Sequence, residues 1–202
     1  EIAWDFKQNE LIRIGGNDIE EAYALFKQYW KKKFLRIHEM EEELNSMFIE
    51  IYQLQTELTS DIPLENITIL HEELDRKILS SLNLGLHTDS GTLLLRDYHE
   101  LELPFLTNVI ISQFISYSVG CCFGRYSLDK EGLVLNNQGE SIQDYLNIIA
   151  KSEQNCSFIP DEDNIIPILD NEWFEDDIVG RFYQFLKVTF GINNLNKNLS
   201  FI

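Results

Sequence analysis

The chain has 202 residues, enough for one domain with a real core or for two small ones. Hydrophobic residues make up 44% of it and aromatics 12%, which excludes a disordered chain. The net charge of −18 works against wrapping nucleic acid over the bulk surface, because the overall field repels phosphates, but it leaves room for a local basic contact.

Two further global features bear on where the protein works. No apolar run reaches the length of a membrane span and no signal peptide is recognisable, so a cytoplasmic protein with no membrane partner is expected. Cys121, Cys122 and Cys156 are odd in number, and two are adjacent, which is no disulfide framework and suits a reducing cytosol. The chain begins at Glu1 and stops at Leu199-Ser200-Phe201-Ile202, an apolar ending expected of a piece cut from a larger protein.

Residues 1–14 mix Ile2, Trp4 and Phe6 with polar partners, an alternation that predicts a short extended segment. Gly15-Gly16 breaks the chain, and Asn17 is placed to cap a helix with Glu20 completing a capping box. Asp18, Glu20 and Glu21 add negative charge where the helix dipole favours it. From 17 to 58 there is no proline or glycine. Ile19, Tyr23, Phe26, Trp30, Lys33, Ile37, Met40, Leu44, Met47, Ile51, Leu54 and Leu58 alternate at four and three residues, and only Lys33 interrupts the apolar seam. Phe34, Leu35, Phe48 and Ile49 lie beside it, so the stripe is wider than a two-stranded coil needs. The pattern predicts a spine helix over 17–58, about 60 Å long, with other segments packed on it.

Residues 59–63 (TSDIP) read as the helix stop. Ile67-Thr68-Ile69-Leu70 is a short β-branched run, residues 76–86 have helical character ending near Gly85, and 87–91 read as a loop before a short apolar stretch at 92–95. Residues 107–123 are apolar on nearly all sides, which predicts a buried helix packed on the spine. Gly120 and Gly124 (GCCFG) suit close packing or a helix end. Residues 128–139 read as a loop, 141–149 as a short helix, and 155–169 as an acidic loop around Asp161-Glu162-Asp163. Asp170 or Asn171 is placed to cap a last helix over 171–190, with Trp173, Phe174, Ile178, Val179, Phe182, Phe185, Leu186 and Phe190 on its apolar face and Gly191 as its stop. The expectation is a mainly α fold with few or no short strands, forming a single helical domain over 1–202 or a fragment of a larger enzyme.

Catalytic signatures are absent. No phosphate-binding glycine loop occurs, His38, His71, His87 and His99 are scattered without ligand spacing, and the adjacent cysteines read as small buried hydrophobes. The carboxylates at 161–163 and 175–177 have the chemistry for a hard cation or for acid–base work, but read better as a solvated loop and the acidic first turns of a helix. No catalytic, cofactor-binding or metal residue is assigned. One basic cluster stands out in this acidic chain: Lys27, Lys31, Lys32, Lys33 and Arg36. Lys27 and Lys31 are one turn apart, as are Lys32 and Arg36. Lys27, Lys31, Lys32 and Arg36 are the candidate phosphate contacts; the alternative is a solvated face balanced by Glu39, Glu41, Glu42 and Glu43.

Several long motifs occur together and in order. They are EEELN at 41–45 with FIEIY at 48–52 and LQTEL at 54–58, then ISYSVGCCFGRYSLD at 115–129, DEDNIIPI at 161–168 and WFEDDIV at 173–179. On these the chain resembles the PglX family, the adenine-specific DNA methyltransferases of BREX phage-defence systems. The resemblance implies a parent enzyme that transfers a methyl group from S-adenosylmethionine to the adenine amine of double-stranded DNA, marking host DNA and not phage DNA. The family's N-P-P-Y-type catalytic motif and glycine-rich cofactor motif do not occur here, so no catalytic or cofactor residue carries over, and no cofactor is expected in this segment. The resemblance implies an interior piece downstream of the methyltransferase domain, a helical scaffold beside target-recognition parts. The alternative is a protein-interaction module that docks other BREX subunits.

Overall fold

The computed structural model describes residues 5–86, 101–152, 156–170, 173 and 176–202. Among these, seven α-helices follow in order: α1 Glu10–Ile14, α2 Ile19–Ile51, α3 Arg76–Leu86, α4 Thr107–Cys122, α5 Ile142–Lys151, α6 Ile178–Phe190 and α7 Leu195–Phe201. The nearest thing to a strand among the described residues is an isolated antiparallel bridge between Leu74 and Phe105. The fold is mainly α around a long helix, as the periodicity predicts. The loop at 87–91, the apolar stretch at 92–95, His99 and the capping candidate Asn171 lie outside the described residues. The chain divides into two compact units, one of Glu1–Phe26 with Ile111–Ile202 and one of Lys27–Ile110.

In the first unit residues 10–14, read as the end of an extended segment, form a helical turn, while Ile2 and Trp4 lie outside the described residues. Asn9 Oδ1 accepts from the Leu11 amide at 3.0 Å and starts α1, a capping role that the Ile2-Trp4-Phe6 alternation hides. The start of α2 is capped one residue later than expected. Asp18 Oδ1 accepts from the Glu21 amide at 3.0 Å, and Glu21 reaches back to the Asn17 amide at 2.7 Å. The Ile19 amide donates to Asn198 Oδ1 on α7 at 2.9 Å, and Lys197 bonds Asp18 at 2.7 Å. Ile19, Ala22, Tyr23 and Phe26 are buried beneath these bonds.

An aromatic core fills this unit. Phe114 on α4 meets Phe182, Phe185 and Phe190 of α6 with ring centroids 5.8–6.4 Å apart. Tyr117 stacks on Tyr126 at 5.2 Å, and its hydroxyl donates to the Ser127 carbonyl at 2.9 Å. Gly120 permits this stack, since a Cβ there would stand 2.6 Å from the Tyr126 ring. Gly124, with φ 69°, ends α4, so the GCCFG motif is both a close-packing site and a helix stop. Ser141 and Asp144 cap α5 reciprocally. The last long helix begins later than the expected 171: Asp177 caps it, its Oδ1 accepting from the Gly180 amide at 2.7 Å, while Trp173 lies outside the helix and is exposed. The local carboxylate cap overrides the apolar periodicity upstream.

The second unit holds residues 27–51 of α2 against a core of Phe34, Leu35, Leu64, Ile67, Leu74, Leu79 and Leu103. His38 is buried and its Nε2 lies 2.7 Å from the Ile62 carbonyl, pinning the returning chain to α2. Arg76 fastens the same loop. Its guanidinium donates to the carbonyls of Glu65, Ile67 and Ile69 at 3.2, 2.6 and 3.0 Å. Burial lowers the Arg76 pKa from its ordinary value. The spine ends at Ile51 rather than at Leu58, at a length of about 50 Å. Residues 52–57 turn instead, with Gln53 in a left-handed conformation at φ 58°. The apolar spacing that continues to Leu58 lacks a packing partner to hold it helical.

Candidate nucleic-acid interface

All five cations of the basic cluster sit on α2 within the second unit. Phe34, Leu35 and His38 take the buried side of the helix, so Lys32, Lys33 and Arg36 are left exposed, with Lys27 and Lys31 half-buried. A hollow of about 450 Å³ lies against this part of the helix. Its lining among the described residues is Gln28, Lys31, Lys32, Leu35, Arg36 and Glu39. Three of the four candidate contacts therefore share one concavity, while Lys27 is not part of that lining. Lys33 turns elsewhere, with Nζ 5.6 Å from the centre of the Tyr29 ring.

Among the described lining residues, Lys31, Lys32 and Arg36 outnumber the carboxylate Glu39. Arg36 Nη1 bonds Glu39 at 3.1 Å and stands 3.9 Å from Glu43. Exposed pairs of this kind are worth roughly 0–1 kcal/mol, so a phosphate oxygen can compete for the guanidinium. Arg36 offers a planar fork and the lysines offer point charges, the combination that reads a phosphate backbone without reading sequence. Gln28 is a neutral donor on the same face that charge counting passes over. Its position one turn before Lys32 is the signal that could have found it.

The acidic groups are organised for structure. Asp161 is buried. Burial pushes its carboxyl upward, but hydrogen bonding with Asp176 and Asp163, the Ile165 amide that donates to it and the Arg181 charge hold it below the usual carboxylate value. Asp176, sharing that bond, is raised. Asp177 is the α6 cap. Among the described residues no group of three or more His, Cys, Asp or Glu side chains is placed to hold a metal ion. Cys121 and Cys122 are buried, and desolvation pushes the Cys122 thiol up to about 11, as fits small hydrophobes in a core. Among the described residues no helix is long and apolar enough to cross a membrane.

No family model matches the chain. It is 34% identical over 202 residues to the adenine-specific methyltransferase BrxX of Escherichia coli O9:H4 (strain HS), a match that takes in 100% of this chain and 15% of that protein. It is 30% identical over 213 residues to the adenine-specific methyltransferase PglX of Lacticaseibacillus casei (strain Zhang), again over 100% of this chain and 14% of that protein. The chain thus spans about one seventh of the length of these curated relatives. It is similar along its whole extent to a segment of BrxX and PglX methyltransferases, and the resemblance to the PglX family carried by its motifs holds.

Proposed function

We propose that this chain is a non-catalytic helical scaffold of an adenine-specific DNA methyltransferase that marks host DNA in phage defence, with S-adenosylmethionine bound elsewhere in the enzyme. The observation that carries the reading is the end-to-end similarity to BrxX and PglX, over motifs that include no catalytic or cofactor signature. The scaffold's own contribution to the duplex is the basic hollow. Lys31, Lys32 and Arg36 meet phosphates and fix the position of the enzyme, leaving sequence recognition and methyl transfer to other parts. The acidic remainder of the chain repels the duplex and confines the contact to this band.

The test is a double-stranded DNA titration of the longer methyltransferase that carries this segment, at low and moderate salt. Charge reversal by Lys31→Glu, Lys32→Glu and Arg36→Glu is expected to weaken binding to all sequences alike, and to flatten the salt dependence by roughly 0.9 logarithmic units per contact removed. Lys27→Glu is expected to do less. Unchanged affinity and slope in the triple variant would remove DNA from the role of this surface.

A further inference from the structure

Arg36 stands in the basic hollow already engaged. Its Nη1 lies 3.1 Å from Glu39 and 3.9 Å from Glu43. At about 100° per residue, Glu43 falls about 20° from Arg36 around the helix and Glu39 about 60°, so both carboxylates share its face. Glu39 lines the hollow together with Arg36. Both contacts fall on one nitrogen, so neither is the two-pronged pairing that a guanidinium makes with an oxyanion. A phosphate that takes two N–H groups replaces a weak pairing by a strong one, but it must first release the carboxylates.

That release has two consequences. Exposed pairs hold a group against a competitor by up to about fivefold, so the carboxylates weaken the phosphate contact by about that much. They also alter its response to salt. A cation leaves the duplex when Arg36 meets a phosphate, but the freed carboxylates attract cations in turn. The exchange then sets free less salt than an unpaired guanidinium would. Because phosphate contacts position a protein without reading sequence, a weaker one loosens the grip on every duplex alike. On the strength of the DNA contact proposed above, we infer that Glu39 and Glu43 are internal competitors of phosphate at Arg36. They reduce the enzyme's sequence-independent hold on DNA and make that hold less dependent on salt.

The test titrates a duplex of arbitrary sequence into the longer methyltransferase that carries this segment, at low and moderate salt. Glutamine keeps the size of glutamate and removes its charge. Glu39→Gln with Glu43→Gln is expected to tighten binding about two- to fivefold at low salt, and to steepen the salt dependence by up to roughly 0.9 logarithmic units. Two controls separate release of Arg36 from a general loss of negative charge. Glu41→Gln with Glu50→Gln removes as much charge from the same helix, at positions not paired with Arg36, and is expected to leave affinity and slope unchanged. In an Arg36→Gln background the substitutions at Glu39 and Glu43 are expected to add nothing. No gain from Glu39→Gln with Glu43→Gln overturns the inference, and so does an equal gain in the Arg36→Gln background or in the control pair. The charge-reversed variant Lys31→Glu, Lys32→Glu and Arg36→Glu tells this failure from that of the DNA contact itself. If it weakens binding while the glutamine pair alters nothing, the competition alone is refuted. If it changes neither affinity nor slope, as when another part of the longer protein fills the hollow, the DNA contact falls and the competition with it.

Discussion

Phe34 and Phe48 stand fourteen residues apart on one helix, in one compact unit, beside the same apolar seam. Phe34 is wholly buried, and Phe48 is 49% exposed. The pattern that places them is the same, so the difference comes from elsewhere in the chain. Leu64, Ile67, Leu74 and Leu79 come back onto Phe34. Phe48 meets the ring of Tyr52, four residues on and just past the end of the helix. Helical periodicity thus says which residues share a face, and the return path of later segments says whether that face becomes core.

The largest expected effect tests this contrast directly. Phe34→Ala should cost about 3–5 kcal/mol of unfolding free energy, as truncation of a core aromatic does, whereas Phe48→Ala should cost less than about 1 kcal/mol. Chemical denaturation of both variants decides it, and equal losses would mean that the exposed end of α2 is as well packed as the covered part. The second test concerns what holds the cover in place. Arg76→Met leaves the carbonyls of Glu65, Ile67 and Ile69 without their shared donor, and is expected to destabilise by about 2–3 kcal/mol while exposing amides 64–70 to hydrogen exchange. Arg76→Lys should recover only part of the loss, because an ammonium lacks the fork that reaches carbonyls in different directions.

In the first unit covering depends on space. Gly120→Ala puts a methyl group into the Tyr126 ring, and a loss of about 1–3 kcal/mol is expected, visible as a changed near-ultraviolet tyrosine signal. A smaller effect, about 1 kcal/mol, is expected from Asp18→Asn, which keeps a capping oxygen but removes the charge that meets Lys197. This variant also has a signature in pH. The Lys197 hydrogen bond, more than any other contact, holds the Asp18 carboxyl below its ordinary value. Folding therefore binds this proton less tightly than the unfolded chain does, so the stabilisation is complete above about pH 4 and is lost as pH falls through the lowered folded value. Denaturation midpoints of the parent chain should drop on acidification by more than those of Asp18→Asn. The smallest effect is chemical: with its thiol raised to about 11 by burial, Cys122 should resist alkylation at neutral pH in the folded chain and react once denatured.

Much of the helical order was legible because its signals are local. α3, α4 and α5 lie within two residues of the segments read as helical at 76–86, 107–123 and 141–149. What escaped sequence reading depends on partners remote in the chain or on competition between neighbours. Asp18 wins the cap from Asn17 because Lys197 and Asn198, some 179 residues on, meet that position and the next. Asp177 begins α6 within what reads as a continuous apolar face from Trp173. Arg76 looks like any surface arginine until the carbonyls of 65–69 curl round it. The one-turn spacing marks the basic cluster on α2 but not its sorting: Lys31, Lys32 and Arg36 share a hollow while Lys33 goes to Tyr29, a choice set by where Phe34 and Leu35 anchor the helix.

The order of the chain through its two units carries a consequence for synthesis on the ribosome. Residues 27–110 are continuous, so everything their unit needs has been translated by Ile110. The first unit is split, and the amide of Ile19 waits for Asn198. At about 5–20 residues per second, the interval from Phe26 to Asn198 is on the order of 10–35 s, and through it the apolar patch of Ile19, Ala22, Tyr23 and Phe26 is without its C-terminal cover. Of the described segments, the one at 19–26 therefore stays longest open to aggregation and to chaperone capture, made before the second unit and enclosed after it.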